Sequence, residues 1–354
     1  MRIGHRFRGH GFRALAVAIA ALALPELARA DAVGDFYKGK NLTMIVGYAP
    51  GGINDIAARL AGRYLVKHLP GEPALVVQNM PAASGISAIN HMYNVAPKDG
   101  ATVSIIGRAI PQLAFLNDPN IRFVPDKFVW LGSISSYADD AYPILIMANR
   151  PIKSWEELKQ PGKKIVLGAV GPGSTNLTFA LIAKDTLKLN IDVIRGYSGA
   201  APLFLAMQRG EIDGQVVGLG SAKAGQRSLW DNHELRGLIQ FGRTTRHRDL
   251  PDAPTGREIA AGDKDALALI AFAEAPFYMA LPFIAPPGTP PDRAKALQAA
   301  FMAAVRDPGF VGEAQKLDID VSPIDGDEVA KLVRELASTP PAVIEAFKNV
   351  SGMR

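Results

Sequence analysis

Short apolar runs alternate with segments whose apolar residues recur every three to four positions, and this rhythm continues from about Leu42 nearly to the end of the chain. It predicts an α/β architecture with largely parallel strands. Leu42 to Val46 reads as a buried strand. From Asp55 to Leu69, Ile56, Leu60 and Tyr64 repeat at helical spacing, as do Ala57, Ala61 and Leu65, and Pro70-Gly71 stops the helix. Ala74 to Gln78 and Ala101 to Ile106 read as two more strands, with a helix through Ala88 and His91 between them. A second run of the same kind begins with a strand at Lys164 to Gly168, a helix from about Asn176 to Leu187 and a strand at Ile191 to Ile194. It continues with a helix that has Pro202 in its first turn and Gly210 at its end, then a strand at Ile212 to Val217. Leu131 to Asn149 and Ala275 to Pro291 lie between the runs and read as two crossovers. Helical patterns at Asp292 to Val305 and Asp327 to Leu336 are expected to return to the first run.

Both runs contain a glycine-rich turn from a strand onto a helix. In the first, Gly47-Tyr48-Ala49-Pro50-Gly51-Gly52-Ile53-Asn54-Asp55 follows the strand. In the second, Gly171-Pro172-Gly173-Ser174-Thr175 does. The unpaired N–H groups at a helix start, with the positive end of the helix dipole, favour a carboxylate or phosphate there. Two such seats suggest one anion held between two lobes. Ligands in open parallel sheets sit beyond the C-terminal strand ends, so the loops 47–55, 81–85 and 107–111 should border the first lobe's half of the site.

Charge changes the picture only after the N-terminus is set aside. Arg2, Arg6, Arg8 and Arg13 precede an apolar run from Ala14 to Leu24, and Ala28-Arg29-Ala30 offers small residues for cleavage. These are the marks of a secretory signal, and the run is too short for a membrane span, which needs about 20 apolar residues. Residues 1–30 hold five Arg and one Glu, which leaves 34 basic and 33 acidic residues in a nearly neutral mature chain. The basic excess belongs to the leader, so nucleic acid is not an expected partner. With no Cys in the chain, disulfides and thiolate metal sites are excluded.

No catalytic pattern survives inspection. Gly168 to Thr175 has P-loop spacing, but Ser174 stands where phosphate chemistry wants Lys. Gly196-Tyr197-Ser198-Gly199-Ala200 lacks the last glycine of a nucleophile elbow, and Gly218-Leu219-Gly220 lacks the third glycine of a dinucleotide fingerprint. His68, His91, His233 and His247 show no metal-ligand spacing. No cofactor and no metal are expected, and the chain is not expected to be an enzyme.

Five motifs occur in a recognisable order: Gly47-Tyr48-Ala49-Pro50-Gly51-Gly52 with Asp55 and Arg59; Val77-Gln78-Asn79-Met80-Pro81; Ala96-Pro97-Lys98-Asp99-Gly100; Gly196-Tyr197-Ser198-Gly199; and Gly210-Glu211-Ile212-Asp213-Gly214. In them the chain resembles the Bug/TctC family of periplasmic receptors of tripartite tricarboxylate transporters, from about Phe36 to the C-terminal helices. The resemblance implies a type II periplasmic binding-protein fold whose two α/β lobes, joined by two crossovers, close around a small carboxylate. The expected bounds are 31–140 with 276–354 for lobe 1 and 141–275 for lobe 2, after a signal peptide at 1–30.

Matched by motif position, the resemblance places Tyr48, Gly52, Ile53, Asn54 and Asp55 in the first half of the site. It places Gly173, Ser174 and Thr175 in the second half, with Tyr197, Gly199 and Ala200 alongside. Asp55 reads as a capping residue, since a bare carboxylate beside a ligand carboxylate would repel it. The family often has Ser, Thr or Pro among the two positions after the double glycine. Here Ile53-Asn54 stands there, and Asn54 can supply an amide donor instead. From the residues themselves, Arg108 is a candidate to clamp a distal carboxylate and Ser84 a candidate hydroxyl contact. The expected partners are a small organic carboxylate and the large and small membrane subunits of a transporter, with the receptor itself a monomer. A receptor serving a signalling partner and an exported hydrolase are the alternatives.

Overall fold

The computed structural model describes residues 32–116, 118–172 and 174–352, with the backbone alone at Ser84. The expected signal peptide lies outside the described residues. Strands β1 (Asn41–Val46), β2 (Ala74–Asn79), β3 (Thr102–Ile105) and β4 (Val129–Ser133) belong to one sheet. Strands β5 (Tyr142–Met147), β6 (Ile165–Ala169), β7 (Ile191–Arg195), β8 (Gly214–Val216) and β9 (Leu235–Phe241) form a second. The chain then returns, and β10 (Pro282–Ala285) and β11 (Ile324–Asp325) complete the first.

The strand orders are β2-β1-β3-β10-β4-β11 and β7-β6-β8-β5-β9. Each sheet thus carries three strands in the order second, first, third, and then one strand delivered from the other half of the chain. This is the two-sheet α/β architecture that the resemblance implies. The sheets are mixed, not largely parallel. β1 pairs in parallel with β2 and β3, and β6 with β7 and β8, but β10 runs antiparallel to β3 and β4, and β5 antiparallel to β8 and β9. The reason is geometric. The parallel strands end at the gap between the sheets, whereas a strand arriving from the other half starts at that gap and runs away from it.

The helices follow the apolar pattern closely. Ile53–His68 buries Ala57, Ala58, Ala61 and Leu65, and its small residues allow close approach to the sheet and to the helix Pro291–Arg306. A Cβ at Gly62 on that helix would come within 2.8 Å of the Leu75 side chain, which would have to shift. Ala200–Arg209 stops where Gly210 takes the left-handed conformation, φ 78°. The expected helix from Asn176 to Leu187 starts as the α-helix Thr175–Leu181 and widens into a π-turn over Ile182–Thr186. Gly218, the first glycine of the incomplete dinucleotide fingerprint, stands at the N-cap of the helix Leu219–Gly225. The last helix, Pro341–Ser351, packs against Lys264–Glu274 and Thr175–Leu181, elements of the second half, although the sequence assigns the whole tail to the first lobe.

Two segments pass between the sheets. One is residues 134–141, between β4 and β5. The other leaves β9 at Gly242 and reaches β10 through the helix Lys264–Glu274. Arg243 of the second donates to the carbonyls of Ala138 and Asp140 in the first, tying the connections together. No helix among the described residues is long and apolar enough to cross a membrane.

Candidate functional site

The first glycine-rich turn is locked from below by a buried acid. Asp55, third residue of its helix, accepts from the Gly51 N–H (2.9 Å), Arg59 Nε (3.0 Å) and Asn79 Nδ2 (2.8 Å). Arg59 also donates to Asn79 Oδ1 (2.9 Å), and Asn79 Nδ2 donates to the Tyr48 carbonyl (2.9 Å). Burial alone would raise the Asp55 pKa, but the donors from Arg59, Asn79 and Gly51 outweigh it and hold the carboxyl at about 2. Two of the sequence motifs therefore meet in one network, which fixes the end of β1 against the end of β2.

With the Gly51 N–H engaged, the N–H groups of Gly52, Ile53 and Asn54 have no acceptor among the described residues. They stand at the positive end of a 16-residue helix. Tyr48 folds its ring over the neighbouring loops. Its hydroxyl lies so close to Gly107 that any Cβ there would collide with it. At Gly85, where φ is 95°, a Cβ would come within 3.1 Å of the ring. The loops after β1, β2 and β3 thus converge as the strand ends predict. Burial raises the Tyr48 pKa, partly opposed by the Gly107 N–H.

Arg108 follows β3 and sits over an aromatic floor. Its guanidinium carbon is 4.3 Å from the Phe277 ring centroid and 5.9 Å from that of Tyr137. Phe277 is fully buried, with Tyr137 at 4.9 Å, Tyr142 at 5.2 Å and Phe179 at 5.8 Å between ring centroids. Stacking of this kind contributes about 0.5–2 kcal/mol and leaves the guanidinium edge open. Among the described residues no Asp or Glu pairs with Arg108. Arg257, at a second cavity, contrasts with it, since its Nε is 2.6 Å from the buried carboxylate of Glu274.

These elements border a cleft of about 680 Å³ between the sheets. Tyr48, Ile53, Asn54 and Arg108 line it on one side, and Ala200, Val217, Gly218 and Ser221 on the other. Tyr137, Asp140 and Tyr142, from the first connection and the start of β5, form its floor. Ile53 is 51% exposed here, a large apolar side chain with nothing yet covering it. Burial raises the Tyr142 pKa to about 12 and Tyr137 well above its usual value, so both hydroxyls remain donors at neutral pH. Asp140 accepts from the N–H groups of Ala141 (2.7 Å) and Gly220 (3.0 Å), and burial raises its pKa.

Of the residues expected from the sequence, Tyr48, Ile53, Asn54, Arg108 and Ala200 are brought together at this cleft. Gly52 and Asp55 stand just behind it. Ser174, Thr175, Tyr197 and Gly199 do not line it. The Ser174 hydroxyl donates to the Gly171 carbonyl (2.6 Å), closing its own turn, and also contacts Asn176 Oδ1. Tyr197 packs with Leu203 and Ile212 against Gly168. Gly173 and the Ser84 side chain lie outside what is described. Sequence reasoning missed Tyr137, Asp140, Tyr142 and the 217–221 turn as site residues. Their signal was positional. A segment that crosses between sheets must pass the cleft floor, and Tyr137-Ala138-Asp139-Asp140-Ala141-Tyr142 is rich in groups that hydrogen-bond.

Comparison with known proteins agrees with this architecture. A UPF0065 protein of Bordetella pertussis is 29% identical over 299 residues, covering 83% of this chain and 84% of the relative. A TctC solute-binding protein from Polaromonas, solved without ligand, superposes with a TM-score of 0.68 at 19% identity, covering 90% of this chain and all of that one. An R. palustris protein solved with adipate gives 0.56 at 19% identity, covering 88% and 97%. The two structural likenesses show the fold. The family model of the tripartite tricarboxylate transporter receptors, TctC, matches residues 58–348, and the chain belongs to that family.

Proposed function

We propose that this receptor captures a small organic carboxylate in the periplasm and delivers it to the large and small membrane subunits of a tripartite tricarboxylate transporter. The observation that carries the reading is Arg108, stacked on Phe277 beside the cleft without an acidic partner among the described residues. A guanidinium held over an aromatic ring without an acidic partner fits a carboxylate through two parallel hydrogen bonds. The free N–H groups of Gly52, Ile53 and Asn54 offer further donors on the same side. Adipate in the R. palustris structure is a ligand of the same chemical kind.

Capture works by closure of two lobes, residues 31–140 with 276–354 against 141–275. Ser174 and Thr175, which do not line the cleft in the conformation described, come onto the ligand as the lobes close. A ligand that satisfies donors on both lobes binds the closed form more tightly than the open one, and only such a difference shifts the equilibrium. The closed shape is then what the membrane subunits recognise.

A thermal-shift screen of the mature protein with short aliphatic and aromatic carboxylates tests this, since a ligand of the native state raises its melting temperature. Arg108→Ala should weaken the best carboxylate by about 10- to 100-fold, the loss of a charge-assisted hydrogen-bond pair. Gly52→Val, where a Cβ makes only an ordinary contact with the Ala49 carbonyl at 3.7 Å, should fold and still bind more weakly by blocking close approach to the backbone. A neutral sugar or a metal cation that shifts melting while every carboxylate fails would sink the reading.

A further inference from the structure

We propose that the cleft accepts one carboxylate only, and that the far end of its ligand is neutral or cationic. The inference rests on the carboxylate reading above and deepens it. Arg108 is the single basic residue among the described cleft-lining residues, while Asp140, Asp318 and Asp320 are acidic. Asp140 sits one tyrosine ring away from Arg108. The guanidinium lies over the Tyr137 face, and the Tyr137 hydroxyl contacts the Asp140 carboxylate.

Neither Asp140 nor Asp320 is ion-paired among the described residues. Asp140 is held by the N–H groups of Ala141 and Gly220, and Asp320 by the hydroxyls of Ser135 and Ser322. Arg243 acts on both through space, but it lies behind the connection and donates to the carbonyls of Ala138, Asp140 and Thr245. These hydrogen bonds fix both acids in place, so neither can swing out of the cleft to make room for a like charge. A ligand carboxylate at Arg108 is neutralised, whereas a second one meets fixed negative charge in a half-enclosed space of lowered dielectric. The space between the charged ends is bordered by Ile53, Ile110, Leu113, Val217 and Leu281, which suits a hydrocarbon body.

Three six-carbon acids that differ only at the far end test the proposal: hexanoate, adipate and 6-aminohexanoate, with citrate as the most highly charged probe. Isothermal titration with the mature protein should give 6-aminohexanoate and hexanoate each at least tenfold tighter than adipate, and no measurable citrate binding. Asp140→Asn and, separately, Asp320→Asn should narrow the gap between hexanoate and adipate. Melting curves establish that each variant is folded. Adipate or citrate binding as tightly as hexanoate would overturn the single-carboxylate rule while leaving the cleft a carboxylate site. If none of the four binds, the carboxylate reading itself falls, and this inference with it.

Discussion

The two glycine-rich turns look alike in sequence and are finished differently. In the first, the closing group is Asp55, from inside the helix, and it draws in Arg59 and the end of β2 through Asn79. The turn becomes part of the sheet's edge, and Ile53 and Asn54 face the cleft. In the second, the Ser174 hydroxyl closes on Gly171 and its own neighbour Asn176, the tie to a neighbouring strand end is a backbone one, from the Gly196 N–H after β7 to the Val170 carbonyl, and Ser174 and Thr175 do not line the cleft. The difference teaches that a strand-glycine-helix signature specifies a local shape. Whether that shape belongs to a preformed site depends on which long-range partner locks it.

Removing each lock breaks the comparison most directly at the first turn. Asp55→Ala strands the Gly51 N–H, the Asn79 amide and the Arg59 guanidinium around a buried hole. It should cost about 2–4 kcal/mol in urea unfolding and weaken ligand binding as well. A loss below about 1 kcal/mol would show that the network adds little to the fold.

The same acid gives a pH signature. Its folded pKa is depressed to about 2, so its stabilisation is fully present above the ordinary carboxylate range near pH 4 and disappears as pH falls toward 2. The window corresponds to about 2 kcal/mol. Urea midpoints at pH 5 and pH 2.5 should therefore converge between the native protein and Asp55→Asn as the pH drops. A constant difference across that range would assign the effect to packing instead.

Much of the fold was legible because its signals are local. The apolar runs of β1, β2 and β3, the Ala-rich face of Ile53–His68 and the stop at Gly210 are each encoded within a dozen residues. The mixed strand directions were not, because β5 and β10 take their place from the opposite half of the chain, and no window of sequence records that pairing. The site divides along the same line. Tyr48, Ile53, Asn54, Arg108 and Ala200 follow strand ends or open helices, where an α/β rule points to them. Tyr137, Asp140 and Tyr142 lie in a connection, and only the crossing path makes them a floor. The roles of Arg59 and Asn79 were hidden for a similar reason, since a motif records that residues recur together without saying that they touch.

At the second turn the expected effect is smaller. Ser174→Ala removes a local hydrogen bond to a carbonyl that water can reach, so stability should fall by no more than about 1 kcal/mol. If closure brings this turn onto the ligand, affinity should fall by more than stability does. Calorimetric unfolding with and without ligand separates the two, and equal losses would confine Ser174 to the turn.

The smallest effect should have the opposite sign. Asp140 is a carboxyl whose pKa is raised by burial, so ionising it costs more in the folded protein than in the unfolded chain. For an acid shifted upward, stability falls as pH rises past the ordinary carboxylate range, the reverse of Asp55. An Asn at this position keeps one oxygen for the N–H groups of Ala141 and Gly220 and offers its amide to the Tyr137 hydroxyl, which can accept. Asp140→Asn should thus be neutral or stabilising by roughly 0.5 kcal/mol at pH 7, with no gain at pH 4. A clear loss of stability at pH 7 would mean that Arg243 behind the connection compensates this charge fully, and Asp140 would then belong with Asp55 among the acids that hold the fold together.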